Sequence, residues 1–407
     1  MQKEQDKLYE KKVVYLFFLI WGFTFFNRLS INFVMPVIQE NLKLTAANIG
    51  IINLVSVVVM AVSSMIIGRL SDKSGKRKKY LIPATVLIGL ASMSAIFVTD
   101  ITGLFVIRIL VGIGLGPILP MIFSLTESAS GENKFGQNTG IIMAGDALIA
   151  NIIGPTITTW LTSFISWQLT LCITAIPTII VAILGFKIIK ESTADSTSTE
   201  NVEKSDEELQ THSAFEIFKY PNVAVCILLA ILTLGAYFTM VIYAPLYLTE
   251  VLGYSVAKMG LITSGMGVLF VPYAILIPRI TDTYGRKPVM IISILLSAIA
   301  PLLMSVFTQS MISVIGYILL GGVSGAIHVF FNTIIPMESL PDDLKTTGSS
   351  ITISAGEIGG AAMIPVISGI LSDKYGYVGA MLFAGVLFIA AFFISFALKE
   401  SNKSIAN

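Results

Sequence analysis

The sequence predicts an all-α membrane protein: twelve transmembrane helices in two pseudo-symmetric six-helix bundles. Three observations predict it. First, 55% of the 407 residues are hydrophobic and 13% are charged, with a mean hydropathy of +0.84. A soluble domain carries about 25% charged residues, and a single anchor needs only ~20 apolar ones. Second, the apolar residues gather in twelve runs. Third, the second half of the chain repeats the first. The same composition excludes an ordinary soluble enzyme and a disordered chain. With a net charge of +1 and no basic domain it also excludes a nucleic-acid binder.

The runs follow in order. The first, 13–36, comes after a polar N-terminus (MQKEQDKLYEKK) that lacks the features of a cleaved signal. Runs at 47–70, 80–99, 102–125, 136–163 and 167–189 complete the first six. Residues 190–213 are acidic, rich in Ser and Thr and poor in apolar side chains, which reads as a cytoplasmic linker. The string SAFEIFKYPN reads as a short interfacial helix. Runs at 222–249, 257–280, 287–307, 311–336, 345–371 and 378–398 form the second six. The expected organisation is a bundle over 1–189, the linker 190–213, a bundle over 214–399 and a cytoplasmic tail, 400–407.

Charge sets the sidedness. With the N-terminus in the cytoplasm, Lys43, Lys258 and Lys374 fall outside, and Arg28 and Arg108 fall within spans. The other 21 of the 26 lysines and arginines are then cytoplasmic. That bias follows the positive-inside rule and predicts a multi-pass protein of the cell membrane with both termini cytoplasmic. Cys172 and Cys226 lie in apolar runs and read as packing residues. No nucleotide loop, metal-ligand spacing or nucleophile–base pattern occurs, so no enzyme, metal or cofactor is expected.

The internal repeat is specific. GRLSDKSGKRK begins at Gly68 and PRITDTYGRKP at Pro278, an offset of 210. Gly112 matches Gly322 and Pro155 matches Pro365 at the same offset. Ala144-Gly145-Asp146 matches Ala355-Gly356-Glu357 at 211. Two homologous six-helix units explain a constant offset across spans two, four and five. A third copy of the loop signal, GILSDKYG from Gly369, follows span eleven on the outer side. It points to inverted three-helix repeats within each half.

In the first loop Gly68 would allow close helix approach, and Gly75 would make the turn. Asp72, a carboxylate at a helix C-terminus, needs a basic partner or another helix's N-terminus. The ordered string Gly68-x-x-x-Asp72-Lys73-x-Gly75-Lys76-Arg77 resembles the loop signature of the major facilitator superfamily. Arg108-Ile109-Leu110-Val111-Gly112-Ile113-Gly114-Leu115-Gly116 resembles its span-four signature. The second loop, with Asp282, Gly285 and Arg286, departs from the pattern: Pro278 replaces Gly and Thr283 replaces Lys. The resemblance covers nearly the whole chain outside the tails and linker. It implies the major facilitator fold, alternating access, and a gating role for the loop motifs, which latch the halves together in the outward-facing state. Asn27-Arg28-Leu29-Ser30-Ile31-Asn32, with Pro36 beyond, resembles the anion:cation symporter family, whose members carry sugar acids and other organic anions with protons. That family commonly has Asp where Asn27 stands. The antiporter signature is partial: Gly154-Pro155 is present, but Thr158-Thr159 replace a Gly pair.

Four ionisable residues lie deep in apolar spans: Arg28, Arg108, Asp146 and Glu357. Each costs ~2.5–3.5 kcal/mol to insert, so each faces a cavity or a partner. Arg28 shares a helical face with Trp21, Phe25 and Asn32. It suits either a substrate carboxylate, held bidentately, or a structural ion pair. The resemblance gives Arg108 a role in packing and proton coupling; hydrogen bonds to backbone carbonyls are the alternative. Asp146 and Glu357 occupy equivalent positions, and each is a candidate proton carrier or half of an ion pair. Ser324, His328 and Asn332 recur every four residues in span ten, as a substrate-facing stripe or a packed one. Tyr237, Tyr243 and Tyr247 in span seven suit an amphipathic substrate or the outer aromatic belt. Glu127 and Glu338 are expected in gate contacts with the loops. Together these residues predict proton-coupled uptake of a small organic anion by a monomer in the lipid bilayer. Proton-antiport efflux of a drug or metabolite is the alternative.

Overall fold

In a computed structural model the structure describes residues 2–131, 134–191, 214–308, 311–341 and 344–402. Most of the linker and the end of the C-terminal tail lie outside the described residues.

The first half folds into α1 (Gln2–Leu42), α2 (Ala46–Ser74), α3 (Lys78–Met93), α4 (Ile101–Ala129), α5 (Phe135–Thr162) and α6 (Trp167–Ile188). Polar side chains start several of these helices by accepting orphan N–H groups. Asp100 takes the N–H of Gly103 at 2.9 Å, and Ser166 that of Leu169 at 3.3 Å. Glu191, beyond the end of α6, takes the N–H of Lys78 at 3.0 Å and so caps α3.

The second half begins with a short 3₁₀ turn, Ala214–Lys219, where an interfacial helix is expected. Its Ile217 is buried in a small core with Val223, Leu340 and Leu344. Then come α7 (Pro221–Val251), α8 (Val256–Tyr284), α9 (Arg286–Val306) and α10 (Met311–Ser339). Eleven helical stretches among the described residues are long and apolar enough to cross a membrane. The last, Thr347–Ser395, has 49 residues. At ~1.5 Å per residue it would be more than twice as long as the ~30 Å hydrocarbon core. It breaks at Gly376, whose φ of 70° is left-handed. The break makes two spans, α11 (345–375) and α12 (377–395), and the passes among the described residues number twelve.

Two compact units result: Met1–Val37 with Val58–Thr211, and Ile38–Val57 with His212–Asn407. The end of α1 and the start of α2, residues 38–57, therefore group with the second unit. Within the first unit α3 packs on α4 and α6; within the second, α7 packs on α11 and α12, and α9 on α10 and α12. Small residues permit these approaches. A methyl group on Gly322 of α10 would come within 2.8 Å of the Phe270 backbone nitrogen on α8.

Four spans contain π-helical segments: Asp146–Ile153 in α5, Tyr247–Val251 in α7, Phe330–Ile334 in α10 and Gly356–Met363 in α11. The first and last are related by the repeat. They begin at Asp146 and at the residue before Glu357.

Candidate functional site

In the first unit the site is built on the face of α1. Trp21 and Phe25 pack ring to ring with centroids 5.2 Å apart, and the Arg28 guanidinium lies over Phe25 at 5.4 Å. Arg28, Asn27 and Asn32 are all buried. Asn27 donates to the Phe23 carbonyl and to the Thr178 hydroxyl of α6, at 2.8 and 2.6 Å. Arg108, from α4, donates Nη1 to the Arg28 backbone carbonyl at 3.0 Å. Of its two expected roles, carbonyl bonding is the one with a hydrogen bond. It fixes the turn of helix that carries Arg28.

Asp146 on α5 completes this group, its carboxyl beside the Trp21 indole. The approach of α5 to α1 is tight: a side chain at Gly145 would collide with the Phe18 carbonyl oxygen, and one at Gly22 with Gly145. Asp146 opens its π segment, and Asn151 donates to the Asp146 backbone carbonyl at 3.1 Å, five residues back. π segments of this kind cluster at functional sites.

In the second unit Tyr237 and His328 stack, with centroids 6.2 Å apart and planes 18° from parallel. The Glu357 carboxyl lies near His328. Asn332 is buried; its Oδ1 receives no hydrogen bond and lies 2.9 Å from where a methyl on Gly356 would sit. Thus Tyr237, His328, Asn332 and Glu357 come together from α7, α10 and α11.

Tyr243 does not join them, which corrects its placement in the substrate site. It is fully buried, and its hydroxyl donates to the carbonyls of Ala46 and Pro365, at 3.0 and 2.8 Å. Tyr247 is likewise buried and donates to the Met304 carbonyl at 2.6 Å. Both rings brace helices. Of the three tyrosines, Tyr237 is the one stacked on His328.

The loop motifs form matching networks. Gly75 and Gly285 turn with φ of 64° and 95°. Arg77 pairs with Asp72 and donates to Ser71 and to Ser124 of α4, at 3.0 and 3.1 Å. Arg286 pairs with Asp282 at 2.6 Å and with Glu338 of α10 at 2.9 Å. Sequence offset equates Arg286 with Lys76 rather than Arg77. The second turn is shorter, since α9 begins immediately after Gly285, and this brings the arginine one position forward. Lys73 and Glu127 are exposed. Gly68 corrects another expectation: a methyl group there would meet nothing within 4 Å, so no close approach occurs.

Sequence reasoning missed the two glutamates at the bundle ends. Glu400 receives the N–H groups of Arg286 and Lys287 at 2.8 and 3.0 Å, capping α9 as Glu191 caps α3. The signal was present: Lys190-Glu191-Ser192 recurs as Lys399-Glu400-Ser401.

Two repeats with matched intramembrane carboxylates and matched loop networks define a multi-pass membrane protein built on an internal duplication. The sequence profile described as Major Facilitator Superfamily matches residues 17–363 and 225–406. The chain belongs to that superfamily. A probable 4-methylmuconolactone transporter of Cupriavidus pinatubonensis is 23% identical, over 97% of this chain and 91% of its own. A hexuronate transporter of Bacillus subtilis is 25% identical over 64% of this chain and 60% of its own. Among solved structures, a D-xylose-proton symporter shares the fold with a TM-score of 0.75 at 16% identity, covering 97% of this chain and 98% of its own.

Proposed function

We propose that the chain imports a small organic anion, a sugar acid or another carboxylate, together with protons, by alternating access. The observation that carries this reading is the buried Arg28, held by Arg108 and sharing its unit with Asp146. A guanidinium can grip a carboxylate through two parallel hydrogen bonds, in a geometry an ammonium cannot reproduce. Asn32 lies one turn further along the same helix and supplies an amide. The hexuronate relative supports the substrate class, since hexuronates are carboxylates.

Asp146 and Glu357 are the proton carriers in this reading. Asp146 opens one π segment and Glu357 stands second in the other, and segments of this kind recur at functional sites. His328, Asn332 and Tyr237 line the second unit's contribution to substrate recognition. The loop residues Gly68, Asp72, Lys73, Gly75 and Arg77, with Asp282, Gly285 and Arg286, act as cytoplasmic gates. The lysine and arginine bias supports a cell-membrane location with both termini in the cytoplasm.

The test uses purified protein and vesicles. Carboxylates are expected to raise the melting temperature of the wild-type protein. Arg28→Lys should weaken their binding roughly 10- to 100-fold, the loss of a charge-assisted bidentate contact. Asp146→Asn and Glu357→Gln are expected to separate coupling from binding: proton-driven uptake is lost while counterflow exchange remains. Stabilisation by cationic drugs in place of carboxylates, with accumulation reversed in direction, would replace this reading with proton-antiport efflux.

A further inference from the structure

The loop signal occurs at both faces of the membrane, and the two faces use it differently. Gly68–Gly75 (GRLSDKSG) and Gly369–Gly376 (GILSDKYG) share six of eight residues. Both end on a glycine with left-handed φ, 64° at Gly75 and 70° at Gly376. One closes α2 and the other closes α11. In a chain of twelve passes, the ends of the second and eleventh spans lie on opposite sides.

The inner copy is held within its own loop among the described residues. Asp72 pairs with Arg77 of its own loop, and a methyl on Gly68 would meet nothing within 4 Å. The outer copy is fully engaged. Asp373 accepts the first N–H groups of α2, from Ala46 at 2.6 Å and Ala47 at 3.0 Å. A carboxylate is favourable there, because it satisfies orphan donors and opposes the positive end of the helix. Gly369 leaves no room for a side chain: a methyl would strike the Ala46 carbonyl and come within 2.6 Å of the Tyr243 hydroxyl. That hydroxyl bonds the Ala46 and Pro365 carbonyls. Two further bonds extend the seam: Asn53 to the Ala361 carbonyl at 2.8 Å, and Tyr377 to Gln39 at 2.7 Å.

We propose that Asp373, seated on the N-terminus of α2, is a positioning residue of the transport cycle. With Gly369 and Tyr243 it forms an outer latch on residues 38–57, and letting go of them is the step that opens the outer side. Residues 38–57 continue directly into the rest of α1 and α2, so holding or freeing them biases a two-state equilibrium. The inference rests on alternating access and not on the identity of the substrate.

The test is cysteine accessibility in the purified protein, with Cys172→Ser and Cys226→Ala as background. Ser56→Cys reports the outer side: Ser56 is 3% exposed and lies one turn beyond Asn53 on α2. Gly68→Cys reports the inner side, where a side chain fits without collision. Asp373→Ala is expected to raise the labelling rate at position 56 roughly fivefold or more and to lower it at position 68. Asp373→Asn keeps one acceptor and should give an intermediate change. Tyr243→Phe leaves Asp373 intact and should shift both reporters in the same directions. These opposite shifts distinguish a latch from a stabilising contact, whose loss loosens the fold and raises both rates together. Unchanged labelling at position 56, or a parallel rise at both reporters in Asp373→Asn and Tyr243→Phe, would overturn the proposal. A failure of carboxylates to bind would leave these rates untouched and bear only on the proposed substrate.

Discussion

A polar side chain in a membrane span is defined by where its hydrogen bonds go. Tyr243 and Arg108 look functional by type and depth, yet both have spent donors on backbone carbonyls. Arg28, Asn332 and Glu357 stand beside segments where the helix ladder changes or where another residue fixes their turn. Glu400 makes the same point outside the membrane. Its burial alone would raise its pKa, but the N–H groups of Asn402, Arg286, Lys287 and Ser401 outweigh that and hold it below the ordinary 4.5. A depressed carboxyl pKa contributes stability above pH 4.5, and that contribution is lost as pH falls through the lower folded value. Glu400→Gln should therefore melt below the wild type at pH 7, and the gap should shrink as the pH drops below 4.5. Thermal melts of both proteins across pH 3–8 check this, and a gap constant with pH would remove the carboxylate from the account.

Helices, as elements, were legible in the sequence because hydrophobic length is a property of composition. Rotation about the helix axis was not. Reading a face assumes a fixed period, and each π segment inserts an extra residue that turns everything beyond it. Span ten shows the effect: Ser324 and His328 precede the segment Phe330–Ile334, while Asn332 lies inside it. The four-residue stripe is therefore not one straight face. Span seven failed for another reason. Tyr237, Tyr243 and Tyr247 are chemically alike, and only their neighbours tell the two that brace helices from the one stacked on His328. The carboxylates were found because the repeat marked them, and their place at the start of two π segments came only from the structure. Glycine positions are similarly divided. Gly145→Ala should destabilise by about 1–3 kcal/mol, because the added methyl strikes the backbone of α1. Gly140→Ala, five residues earlier with nothing within 4 Å, should be neutral or stabilise by up to ~1 kcal/mol through helix propensity. Paired melting measurements of the two variants test whether this span is fixed by packing at one point.

The whole molecule was the most legible scale. Repeat offset, loop string and charge bias together predicted the superfamily that the sequence profile confirms. The repeat also poses a question of energy. If one proton accompanies one monoanion, transport is electroneutral and feels the pH gradient alone. A second proton would add ~2.3 kcal/mol per 100 mV of membrane potential. Reconstituted protein on a capacitive electrode should show substrate-dependent inward positive current in the second case and none in the first. Mixed outcomes between Asp146→Asn and Glu357→Gln would then say which carboxylate carries the additional charge. One further consequence belongs to the turn at Gly376. The chain reverses between its last two spans at a single non-helical residue, Gly376, preceded by the exposed Asp373, Lys374 and Tyr375. A turn this short favours delivery of α11 and α12 together as one hairpin. Only Asp373, Lys374 and Tyr375 need travel to the far side. A glycosylation tag or protease site placed in that turn should go unread, even in a protein that works.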